Sequence, residues 1–143
     1  MKVRPSVVIV ENNHLLLMRY RYGNTDVFNL PGGNVDKGET LASTVVRELQ
    51  EELGIDIVLE QMILTGDVIM PAGKEDVLHC VFKAKILKGI PILNPVETSA
   101  LEAVWKSIDE LDKLDMYPNV GKDLQRVLSQ GFEYVGKIGQ VWW

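Results

Sequence analysis

Arg47 to Gly54 reads RELQEELG, an arginine and three glutamates packed into the closing turns of a segment with helical periodicity. A helix C-terminus carries partial negative charge and favours Lys or Arg, so acids there are locally unfavourable. Like charges three and four residues apart add repulsion. Projected at about 100° per residue, Leu41, Ala42, Val45, Leu49 and Leu53 fill one apolar arc. Glu48 and Glu52 stand one turn apart at its border, with Glu51 just beyond Glu48, so the three carboxylates share a sector of roughly 100°. Such a row is either a solvated acidic face or the holder of a compact cation. Its context favours the cation, because Pro31, Gly32 and Gly33 form a sharp loop before the helix and a further acid, Glu39, precedes the cap. Loop carbonyls and carboxylates can then share one ion, and oxygen donors alone point to Mg2+ or Mn2+ rather than zinc.

The elements that must position this row follow from local pattern. Thr40 caps the helix start and Gly54 supplies the left-handed stop. SVVIV and HLLLMRY flank an Asn-containing turn, which predicts a hairpin over residues 6–20. VFNL is a short strand ending at the glycine loop. IDIVLEQMIL, VLHCVFKAKI and LEAVW read as further strands, followed by a short helix near SIDELDKL and a longer one around VGKDLQRVLSQ. The order is mixed, without internal repeat or linker, and predicts one α/β (α+β) domain over residues 1–143 with a mixed sheet between helices.

Composition excludes several classes. A net charge of -5 and a pI near 5.0 give no basic field for long nucleic acid or an acidic membrane surface. No apolar run approaches the ~20 residues that span a bilayer, and the N-terminal MKVRPSVVIV reads as a first strand, so a cytoplasmic location is expected. The single cysteine, Cys80, sits in the apolar run VLHCVF and reads as a buried thiol, with His79 beside it as a structural residue.

From Gly33 the chain reads GNVDKGETLASTVVRELQEELGI, which resembles the Nudix box: G, five residues, E, seven residues, REU, one residue, EE, one residue, GU, with U a bulky aliphatic. Gly33, Glu39, Arg47, Glu48, Leu49, Glu51, Glu52, Gly54 and Ile55 all match, behind an LPGG lead-in. The resemblance implies a Mg2+- or Mn2+-dependent hydrolase acting on a nucleoside diphosphate linked to another group X. By the same resemblance Glu48, Glu51, Glu52 and the Gly32 carbonyl are metal ligands, and Arg47 holds box carboxylates in place by pairing with Glu39 or Glu51. The general base is a box glutamate or a later one, Glu97 or Glu102. The intact box favours catalysis over a sensor domain that binds nucleotide without cleaving it.

Arg19 and Arg21 share one face of a strand and are candidates for phosphate contacts or a solvated edge. Tyr20, Tyr22 and Phe28 are candidates for stacking on a base or for the core. Pro71 is similar in position to a mark of the ADP-ribose pyrophosphatase branch. Trp142 and Trp143 are expected to cover the sheet or a contact in a homodimer.

Overall fold

The computed structural model describes residues 1–130. In chain order the elements are β1 (Lys2–Val8), β2 (Val10–Glu11), β3 (His14–Tyr22), β4 (Thr25–Asn29), α1 (Leu41–Leu53), β5 (Asp56–Val68), β6 (Val77–Lys88) and β7 (Glu102–Ser107). A 3-10 helix (Ile108–Lys113) and α2 (Gly121–Ser129) follow. Trp142 and Trp143, expected to cover the sheet or a contact in a homodimer, lie outside the described residues.

Two sheets form the middle layer. In the first, β6 lies between β1, to which it runs parallel, and β5, to which it runs antiparallel. In the second, β3 pairs antiparallel with β2 and β4 along one edge and with β7 along the other. One core packs Val45, Leu49 and Leu53 of α1 against Val7, Ile9, Leu16, Met18 and Ile57. The other packs Val120, Leu124 and Val127 against Leu15, Leu17, Phe28, Leu64 and Val81. The sheets are thus covered by α1 on one side and α2 on the other, the mixed sheet between helices that the chain predicts.

The expected hairpin is shorter than residues 6–20. Asn12 and Asn13 adopt positive φ (52° and 62°) and join β2 to β3, but Val7 and Val8 pair with Phe82 and Lys83 in the other sheet. The chain therefore changes sheets at Ile9. Local pattern could not reveal this, because the apolar run from Val7 to Val10 reads the same whichever partner each residue takes. Among the described residues no helix is long and apolar enough to cross a membrane.

The free edge of β1 is occupied by the glycine loop. Val7 N–H donates to the Pro31 carbonyl (2.9 Å), Gly33 N–H to Pro5 (3.2 Å) and Val35 N–H to Val3 (3.1 Å). This contact is close enough that a Cβ on Gly32 would run into the Pro5 carbonyl oxygen and the Ser6 backbone. Both belong to a strand hydrogen-bonded on two edges, so neither can yield. Gly32→Ala is expected to cost about 1–3 kcal/mol and to lower the melting temperature by about 5 °C or more. Thermal unfolding followed by circular dichroism checks this, and an unchanged midpoint would show that the loop is not seated as described.

Candidate active site: a carboxylate row under one arginine

Helix α1 begins at a capping box. Thr40 Oγ1 accepts from the Ser43 N–H (3.0 Å), and Ser43 Oγ accepts from the Thr40 N–H (2.9 Å). It ends at Gly54, whose φ of 67° and ψ of 25° reverse the chain. The crowded terminal carbonyls are satisfied from outside the helix. Gly54 N–H donates to Gln50 (3.0 Å), Ile92 N–H to Leu53 (3.0 Å) and Asn94 N–H to Glu52 (2.8 Å). The loop after β6 thus straps the helix end and offsets part of its negative pole.

Arg47 supplies the larger compensation. Its Nε and Nη2 donate to the two oxygens of Glu39 (2.6 and 2.9 Å), and Nη1 donates to Glu48 (3.2 Å) and Glu51 (3.1 Å). Asp36 stands 3.3 Å from Nη2. One guanidinium therefore touches four carboxylates, pairing with both acids proposed for it. The hydrogen bonds from Arg47, joined by the Asp36 N–H, hold the Glu39 carboxyl down at about 2. Glu39 in turn raises Arg47.

Glu48 and Glu52 are less well compensated. Burial pushes Glu48 up despite the Arg47 contact, and burial together with the neighbouring Glu48 charge lifts Glu52 from 4.5 to about 7. Among the described residues Glu52 has no cation within ion-pair distance, and its polar neighbour is Thr98, whose hydroxyl bonds the carboxyl. Tyr20 Oη lies 3.4 Å from Thr98 Oγ1, which extends the contact to β3. Gly33 is flush with Glu48: a Cβ there would occupy the position of the Glu48 carboxyl group.

These residues fit a divalent cation in donor chemistry, since only oxygens are offered and two of the three glutamates carry charge that burial resists. Among the described residues no group of three His, Cys, Asp or Glu side chains is already closed around a point that a cation would fill. The row offers oxygen donors but not a finished cage.

Other sequence candidates are placed elsewhere. Arg19 pairs with Glu102 (3.1 Å) and Asp26 (3.4 Å), and Arg21 with Asp26 (2.8 Å). Their face of β3 carries Leu15 and Leu17, away from α1, so the structure does not bring Arg19, Arg21 or Glu102 to the row. Phe28, opposite Arg19 in register, is 7% exposed in the α2-side core, with Lys106 Nζ 5.3 Å from its ring centre. It is a packing residue. Glu97 is exposed in the strap between Asn94, whose N–H holds the Glu52 carbonyl, and Thr98. Cys80 is buried, as read from its apolar run.

A cavity of about 300 Å³ is lined by Arg4, Tyr20, Tyr22, Asn29, His79 and Tyr117 among others, and Tyr20 links it to the row through Thr98 and Glu52. Tyr20 and Tyr22 stack with ring centres 6.4 Å apart at 12°. Burial lowers His79 to about 4, so it is neutral near pH 7. Arg4, Asp36, Thr98 and Tyr117 were missed by sequence reading. Asp36 had a signal in its place before Glu39.

A family model described as the NUDIX domain matches residues 1–127. A putative 8-oxo-dGTP diphosphatase of Bacillus subtilis (strain 168) is 32% identical over 113 residues, 79% of this chain and 70% of that protein. Among solved structures, a MutT NUDIX hydrolase from Burkholderia pseudomallei is 33% identical, with a TM-score of 0.61 over 76% of this chain and 84% of the other. A NUDIX hydrolase from Nitrosomonas europaea, at 21% identity, shares the fold with a TM-score of 0.74 over 94% and 92% of the two chains. The chain is thus a hydrolase acting on phosphorus-containing acid anhydrides. The chain belongs to the Nudix family, whose hydrolases generally use divalent metals.

The position of Glu52 has a consequence for stability. Its folded value, about 7, lies above the ordinary 4.5. The folded protein therefore binds this proton more tightly than the unfolded chain does, and loses stability as pH rises from about 4.5 to about 7. With divalent ions removed, Glu52→Gln should flatten that slope and stabilise the protein at pH 8 by about 1–2 kcal/mol, allowing for solvent screening. Urea unfolding between pH 5 and pH 8 measures the effect, and parallel pH profiles for the two proteins would contradict it.

Proposed function

We propose that this protein hydrolyses the pyrophosphate bond of a nucleoside diphosphate linked to a second group, with Mg2+ or Mn2+. The observation that carries this reading is the Glu48–Glu52 pair, half-buried and raised in proton affinity, with Glu48 pressed against Gly33. Glu48, Glu51, Glu52 and the Gly32 carbonyl are the groups that would hold the cation. When bound, it neutralises charge gathering on the phosphate oxygens and makes the attacking water more acidic.

The chain's own residues do the rest. Arg47 fixes Glu39, Glu48 and Glu51 so that the row keeps one geometry. Thr98 orients Glu52. The proton of the attacking water passes to a row carboxylate, and we assign it to Glu52, with Glu97 in the strap as the other base within the same reading. Water adds to one phosphorus and the bridging P–O bond breaks, giving a nucleoside monophosphate and a phosphorylated X. The Tyr20–Tyr22 stack in the cavity supports binding of a base.

Pro71 opens a turn closed by the Lys74 N–H on its carbonyl (3.1 Å). The adjacent Met70 receives the hydroxyl of Tyr117, a cavity residue, at 3.6 Å. That placement supports ADP-ribose or a related nucleotide sugar as the first substrate to try, with 8-oxo-dGTP, the substrate named for the Bacillus relative, as the second.

Incubation with Mg2+ and a panel of nucleotides, nucleotide sugars, ADP-ribose and dinucleoside polyphosphates should release products cleaved between two phosphorus atoms, read by chromatography. Glu52→Gln should lower turnover by roughly 10²–10⁴-fold and Glu97→Gln by less than about tenfold. A folded protein that binds a nucleotide but cleaves none of the panel would move the reading to a sensor domain. Gly33→Ala, which displaces the Glu48 carboxyl, should cut turnover by about tenfold or more while leaving most of the stability intact.

A further inference from the structure

The cavity that Tyr20 links to the row has a charge opposite to that of the protein around it. Lys2 and Arg4 line it and no acid does, although the chain as a whole carries -5. Arg4 is the half-buried one of the two. Arg19, Arg21, Arg47 and Arg126 each hold an acid within ion-pair distance, whereas among the described residues Arg4 holds none. It comes from β1, in register with His79 on β6. It lines the cavity, and its charge is felt by Glu48 and Glu52 of the row as well as by His79 and Tyr117 of the cavity.

A guanidinium is a rigid fork of donors suited to a phosphate, and a half-buried one with no acid in direct contact leaves those donors for a ligand to fill. We infer that Arg4 is a phosphate-contacting residue, binding the phosphate attached to a nucleoside whose base lies among Tyr20, Tyr22 and Tyr117. This deepens the reading under Proposed function and rests on it for the identity of the ligand. The position has a mechanistic use. Arg4 places one phosphate on the cavity side of the row, so that the pyrophosphate bridge lies toward Glu48 and Glu52. It also keeps the negative row from repelling the substrate on approach.

The test needs no turnover and no metal. Calorimetric titration of the full chain in EDTA, with each of the four nucleoside monophosphates and its parent nucleoside, reads the contribution of the phosphate alone. At least one monophosphate should bind about tenfold or more tighter than its nucleoside. Arg4→Gln should abolish that ratio while leaving nucleoside binding in place, and Arg4→Lys should keep part of it. Melting curves confirm that both variants are folded, and if the Gln variant is not, the Lys variant carries the comparison. With a cleaved substrate in hand, Arg4→Gln should raise KM more than it lowers kcat. A ratio unchanged in Arg4→Gln, or a wild-type protein that prefers no monophosphate, overturns the assignment. Hydrolysis that persists alongside either result leaves the enzymatic reading standing, and phosphate-dependent binding without hydrolysis does the reverse.

Discussion

One guanidinium makes this arrangement of acids tolerable. Three glutamates at the negative pole of a helix repel one another and the pole itself, and the fold would discard them if nothing positive lay alongside. Arg47 answers with four carboxylate contacts, the tightest a bidentate pair with Glu39 from the loop before the helix. That pairing ties the glycine loop to the middle of α1. The loop in turn is pinned to β1, so the strand, loop and helix are fixed relative to one another before any ligand arrives.

Compensation by Arg47 is uneven, and the unevenness divides the row. Glu39 and Glu51 face the arginine. Glu48 takes a single contact and is pressed against Gly33, and Glu52 is left to burial and a hydroxyl. The acids that would be cheapest to leave in water are the ones neutralised, while the costlier pair is kept in reserve. Stability is sacrificed locally at the place where an anion-binding cation would sit, as is common at functional sites.

Helix α1 was fully legible because everything that defines it is local: cap, periodicity, stop and acid spacing lie within Thr40 to Gly54. The sheets were not. In HLLLMRY the first four apolar residues are all buried, Leu15, Leu16 and Leu17 at 0% and Met18 at 1% exposure, so the strand is covered on both faces. Alternation then says that Arg19 and Arg21 share a face but not which face meets α1. The structure gives that face to Tyr20 and Tyr22, and the two arginines go to Asp26 and Glu102. Arg4 was overlooked for the complementary reason. Its neighbour His79 is far along the chain, and the parallel pairing of β1 with β6 leaves no local mark.

The strap over the end of α1 separates two kinds of evolutionary freedom. Its amides hold the carbonyls of Glu52 and Leu53, and its Thr98 hydroxyl reaches the Glu52 carboxyl. Yet Ile90, Ile92 and Val96 on the same segment face solvent, at 78%, 72% and 88% exposure. Side chains there can be exchanged without touching the carboxylate row, whereas adding or removing a residue would shift which amide meets which carbonyl. Length, rather than composition, is therefore what this stretch must keep for its amides and its threonine to go on tuning one glutamate.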